Sequence, residues 1–145
     1  MVDDRSRPLA GDASTGADSR HVLARSRVTM RPGTARRVAS NEVAKGDVLG
    51  AARYAGLQAA KEADSYLPLY DTVADARVVV DFTVGDDSID VRVGVTHHSD
   101  PPPHVEALTA AAAAALTIYD MCKAVDRTMV IGPVELVVGG DTPED

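Results

Sequence analysis

Asp120 and Lys123 stand three residues apart near the end of an apolar run from Val105 to Ile131. An acid and a base at that spacing are neighbours on one face of a helix. The run reads as a buried Ala/Leu/Ile/Val helix that returns at once as a strand. Charge in such a setting is costly unless it is paired or used, so this pair marks the first place to look for chemistry. A lysine held among apolar groups is lowered toward a neutral pKa, which suits proton transfer. Glu106 opens the same run. Lys45 sits where another helix is expected to start, a position that disfavours cations. His97, His98 and His104 suggest a metal, but their spacing matches no strong zinc pattern. No metal and no cofactor are expected, and a local acid–base role suits His104 better. Cys122 points toward the core.

These residues need elements to hold them. Arg27–Met30 reads as a short strand, Pro32-Gly33 as a turn, and 34–43 as a short polar helix. The first clear helix starts at Lys45, carries Asp47 in its first turn, and follows the helical period through Val48, Ala51, Ala52, Ala55 and Ala59 before Pro68. Arg77–Phe82 is a strand, Gly85-Asp86-Asp87 a hairpin turn, and Ile89–Val95 an alternating second strand. Asp100 and three prolines lead into the long helix, with proline in its first turn. Met129–Val138 is the last strand. The pattern predicts an α+β fold with a ferredoxin-like antiparallel sheet and helices packed on one face. The domain spans 20–138, between a flexible arm at 1–19 and an acidic tail at 139–145.

With 145 residues the chain is one domain, 45% hydrophobic but only 3% aromatic, so its core must be aliphatic. A net charge of −7 argues against nucleic acid, which needs a basic face. No apolar run approaches the ~20 residues of a membrane span, and no signal peptide is visible. The expectation is therefore a soluble chain. A single cysteine, Cys122, suits the reducing cytoplasm.

Several segments resemble one family. They are Lys45–Leu49 (KGDVL), Ala55–Lys61 (AGLQAAK), Leu67–Leu69 (LPL), Glu106–Ala110 (EALTA), Ala115–Val125 (ALTIYDMCKAV) and Met129–Pro133 (MVIGP). All are similar to the cyclic pyranopterin monophosphate synthase family, also called molybdenum cofactor biosynthesis protein C, as is the opening Met1–Asp3. The resemblance implies a homo-oligomer, a hexamer built as a trimer of dimers, with the active site at a subunit interface. It implies rearrangement of a cyclised GTP derivative to cyclic pyranopterin monophosphate with loss of pyrophosphate. Carried over by position, Lys45, Asp120 and Lys123 match catalytic motif residues, while Glu106 and Arg20 match substrate-binding ones.

The departures are specific. The family follows Leu-Pro-Leu with Cys-His-Pro; here stand Tyr70, Asp71 and Thr72. An unperturbed aspartate titrates near ~3.9, far below a histidine. The family's Thr-Gly-Val-Glu-Met-Glu is here Pro101 to Glu106, which puts His104 in place of the first glutamate and fixes the backbone with prolines. The family's lysine-bearing tail is replaced by carboxylates, which repel a triphosphate. The expectation is thus a divergent enzyme that performs acid–base cyclisation, elimination or rearrangement of a small molecule in a specialised pathway. Lys45, Asp120 and Lys123 would do the chemistry, Asp71 and His104 would supply the changed specificity, and Tyr70, Glu106 and Arg20 would bind substrate. The alternatives are the family's own reaction, or an inactive paralogue that binds a ligand or assembles with an active homologue.

Overall fold

The computed structural model describes residues 20–137. The expected arm (1–19) and the acidic tail (139–145) lie outside them. Strand β1 (Arg20–Thr29) is followed by helix α1 (Pro32–Ala39), helix α2 (Val48–Lys61), a 3-10 turn (Ala63–Ser65), the hairpin β2 (Arg77–Val84) and β3 (Ser88–His97), helix α3 (His104–Cys122) and strand β4 (Val130–Leu136). The sheet order is β2-β3-β1-β4, and every pairing is antiparallel. That strand order with a helix crossover on each side of the hairpin is the ferredoxin-like arrangement.

Alternation explains the layers. Val22, Ala24, Ser26 and Val28 of β1 register with Val95, Val93, Val91 and Ile89 of β3, and all eight are buried on the helix side. The opposite face carries charges paired across strands: Arg25 donates to Glu135 at 2.6 Å and Arg27 to Asp90 at 2.6 Å. On the helix side α3 lies along the sheet with α2 against it. The alanine run is the reason the two backbones come close, because Ala107, Ala110, Ala111, Ala114 and Ala115 are all fully buried. A Cβ added at Gly56 of α2 would stand 3.3 Å from the Ala110 carbonyl oxygen, a contact tight enough that the two helices would have to give by a few tenths of an ångström. The Ser26 hydroxyl donates to the Ala111 carbonyl at 2.8 Å and ties β1 to α3 through the core.

Four expectations need correction. β1 is ten residues long, not the fragment 27–30, because its polar outward residues hid the alternation. α1 begins at Pro32, whose fixed φ suits a first helical position. α2 begins at Val48, with the Asp47 carboxylate accepting from the Gly50 N–H at 3.0 Å, so Lys45 precedes the helix rather than opening it. Pro103 is the residue before α3, not part of its first turn. By length and composition alone, the 19-residue α3 is apolar enough to cross a membrane. Its buried alanine face against the sheet and α2 accounts for that composition equally well.

Candidate active site

The C-terminal end of α3 gathers three of the expected residues. Lys123 donates from Nζ to Asp120 Oδ1 at 2.8 Å. Lys45 comes from the α1–α2 loop and donates to the Asp120 carbonyl at 3.3 Å, with its Nζ 3.6 Å from Oδ2. The loop reaches there through a turn closed by the Gly46 N–H on the Val43 carbonyl, at a Gly46 φ of 123° that side chains rarely adopt. The helix thus ends in a carboxylate between two ammonium groups.

The burial expected for this pair is absent. Asp120 and Lys123 keep 54% and 53% of their side-chain surface exposed, since they lie on the solvent side of the last helical turn. The hydrogen bond to Asp120 and its charge raise the Lys123 pKa, the opposite of the lowering expected from an apolar setting. The same bond, with the charges of Lys123 and Lys45, lowers the Asp120 carboxyl. Asp120 and Lys123 are therefore held in their ionised forms at neutral pH. The cluster can bind an anion, neutralise a leaving phosphate and donate a proton.

The other expected residues collect at the N-terminal end of α3. Glu106 is 1% exposed. It accepts from the Tyr70 hydroxyl at 2.6 and 2.7 Å and from the Val73 N–H at 2.8 Å. Burial, then the Glu106 hydrogen bond, push the Tyr70 phenol well above its ordinary range. Asp71 lies exposed on the loop that these bonds hold. His104 is the exposed first residue of α3. Arg20 reaches the same end and donates from Nε to Asp100 Oδ1 at 2.8 Å. Fourteen residues of helix at ~1.5 Å each separate Glu106 from Asp120 by about 21 Å. The structure thus divides the candidate residues into two sets and does not join them within one chain. Glu106 is positioned as the anchor of the 70–73 loop rather than as a group facing solvent. Among the described residues no three His, Cys, Asp or Glu side chains are placed to hold a metal ion, and Cys122 is buried with its thiol pushed up by burial and by the charge of Asp126.

One residue escaped the sequence reading. Asp126, three positions after Lys123, is fully buried and accepts four hydrogen bonds from Arg31, Thr34 and Thr128. The available signal was a turn-forming aspartate two residues before a threonine, just beyond a helix end.

A ferredoxin-like α+β domain whose longest helix ends in a lysine–aspartate–lysine cluster defines the class. The MoaC family profile matches residues 13–140, and the chain belongs to the MoaC family. A cyclic pyranopterin monophosphate synthase of Roseiflexus sp. is 41% identical over 139 residues, covering 94% of this chain and 88% of that one. Another so named, from Desulfitobacterium hafniense, is 40% identical and covers 93% of this chain and 84% of its own length. A molybdenum cofactor biosynthesis bifunctional protein of Chlorobaculum tepidum is 42% identical over 81% of this chain, which spans 38% of that longer protein. A de novo designed protein with ferredoxin fold overlays at TM-score 0.43 and 13% identity over 86% of this chain and 93% of its own; the fold class rests on strand order, not on this overlay.

Proposed function

We propose that the protein is a cyclic pyranopterin monophosphate synthase acting in molybdenum cofactor biosynthesis, converting the cyclised GTP derivative with release of pyrophosphate. The observation that carries this reading is the meeting of Lys45, Asp120 and Lys123, brought together from positions 75 and 78 residues apart. The shared name of the relatives adds to it and moves the weight from a specialised reaction to the family's own. In this reading Lys123 and Lys45 bind the phosphates and stabilise the negative charge that grows on the departing pyrophosphate. Asp120 aims both ammonium groups.

The 21 Å gap of about fourteen helical residues sets a further condition. A base is needed, and the exposed Asp71 and His104 stand at the far end of α3. Two copies placed end to end would put the lysine cluster of one beside the Asp71 loop of its partner. The reading therefore includes a homo-oligomer with the site at a subunit interface, a trimer of dimers by resemblance, and a cytoplasmic location where the lone thiol stays reduced.

One observation favours the second reading, a divergent enzyme on another small molecule. Tyr70 and Asp71 occupy the positions of the family's cysteine and histidine, and the Tyr70 hydroxyl closes on Glu106. Pyrophosphate release from the cyclised GTP derivative separates the two. Release by the parent that is abolished in Lys123→Ala supports the family's reaction. No release from the parent, restored by Asp71→His, points to a site moved to another substrate. No release from either, with the protein folded and oligomeric, overturns the synthase reading.

A further inference from the structure

Among the described residues Asp126 is a fully buried aspartate, and every oxygen lobe it offers is engaged. Oδ2 accepts from the Arg31 N–H at 2.9 Å and the Thr34 hydroxyl at 2.8 Å. Oδ1 accepts from the Thr128 N–H at 2.8 Å and the Thr128 hydroxyl at 2.6 Å. Burial pushes this carboxyl up, but the bonds from Thr128, Arg31 and Thr34 outweigh it and hold the group well below the usual carboxylate range. Arg31 adds a second link, donating from its guanidinium to the Val125 carbonyl at 2.7 Å. Val125 and Asp126 in turn both donate their N–H groups to the Cys122 carbonyl. The turn that carries Lys123 is thereby clamped to the corner between β1 and α1.

Stability alone does not call for this arrangement. A buried ion loses its hydration, and well-packed apolar groups often serve as well. What a fully satisfied carboxylate adds is direction, since each bond has a preferred angle and the network is rigid as a unit. We propose that Asp126 is a positioning residue for the Lys123 ammonium. By clamping residues 122–128 to residues 31–34, it sets the path on which α3 ends and keeps Lys123 against Asp120 within reach of Lys45. Its kinetic consequence rests on the synthase reading above; its geometric consequence does not.

The chain has three lysines, Lys45, Lys61 and Lys123, so lysine labelled with 13C at Cε resolves each by NMR. The proposal is tested by titrating these signals in Thr128→Val, which removes one hydroxyl bond and keeps the carboxylate, and in Asp126→Asn. The groups that face Lys123 (Asp120, Tyr119, Arg127 and Lys45) are unchanged in both. The expected result is a Lys123 titration lowered by about half a unit as its pairing with Asp120 loosens. Lys61 should stay fixed. Ile89→Val, which loosens the core elsewhere, should lower Tm and move none of the three. Turnover should fall on the order of tenfold in kcat, with KM little changed. Should Asp126→Asn fail to fold, Thr128→Val decides. An unmoved Lys123 titration beside a lowered Tm reduces Asp126 to a structural role and overturns the proposal. A moved titration in a protein whose parent releases no pyrophosphate upholds the clamp and removes the synthase reading alone.

Discussion

The two ends of α3 hold charge in opposite ways. At the C-terminal end, Lys45, Asp120 and Lys123 are about half exposed and answer to one another. At the N-terminal end, Glu106 is buried and answered by neutral donors, a phenol and a backbone N–H. Water screens the first set, so it contributes little to folding and remains available to a ligand. The second set is shielded, so its bonds are strong and are used in holding the 70–73 loop. Solvent-accessible paired charge and a buried anchoring carboxylate thus stand at different ends of one helix, although the residues look alike in the sequence.

The largest expected effect breaks this contrast at the exposed end. Lys123→Ala should cost pyrophosphate release a hundredfold or more, the order lost with a charge that stabilises a leaving group, while Tm stays essentially that of the parent. Steady-state kinetics beside thermal melts would check it, and a large fall in Tm would mean that the cluster holds the fold after all.

Complementation comes next. Co-assembled Lys123→Ala and Asp71→Ala chains should regain measurable turnover that neither has alone, because a mixed interface carries one intact site. Mixed oligomers without recovery would confine each site to one chain.

At the buried end Glu106→Ala should lower stability by about 2–3 kcal/mol, since it leaves the Tyr70 hydroxyl and the Val73 N–H unpaired. Denaturant unfolding measures this, and protease susceptibility confined to the 70–73 loop would show that the anchor failed locally. Gly56→Leu should cost about 1–3 kcal/mol by pushing a side chain into the Ala110 backbone.

The smallest effect is on pH. Asp120 and Asp126 both have carboxyls lowered from the ordinary value of 3.8. Their contribution is fully present above that value and is lost as pH falls through the lowered ones. Tm should be insensitive to these two groups between about pH 5 and 8 and should fall below about pH 4. Asp126→Asn should flatten part of that acid limb, and Asp120→Asn much less, because its pair is exposed to solvent.

Much of the fold was legible in the sequence. The β2–β3 hairpin followed from the Gly85-Asp86-Asp87 turn and the alternating Ile89, Val91, Val93 and Val95, and α3 from its long, largely apolar run. β1 was not, since Arg25 and Arg27 alternate with buried Ala24, Ser26 and Val28, small groups that carry little hydrophobic signal. The candidate residues could be picked out one by one, but not the places where the fold would put them. An apolar window around Asp120 suggested burial, but exposure depends on which helical face meets the sheet, and Asp120 falls on the other one.

What the sequence by itself determined is therefore the element types, the aliphatic core and the family, because periodicity, side-chain volume and long motif runs are properties of local order along the chain. The tertiary structure alone decided that Lys45 joins Asp120, that Tyr70 closes on Glu106, and that Asp126 binds a corner some 92 to 95 residues away. Each of those contacts depends on where the strand order and the crossing of α2 over α3 deliver distant backbone, and no local pattern encodes that position.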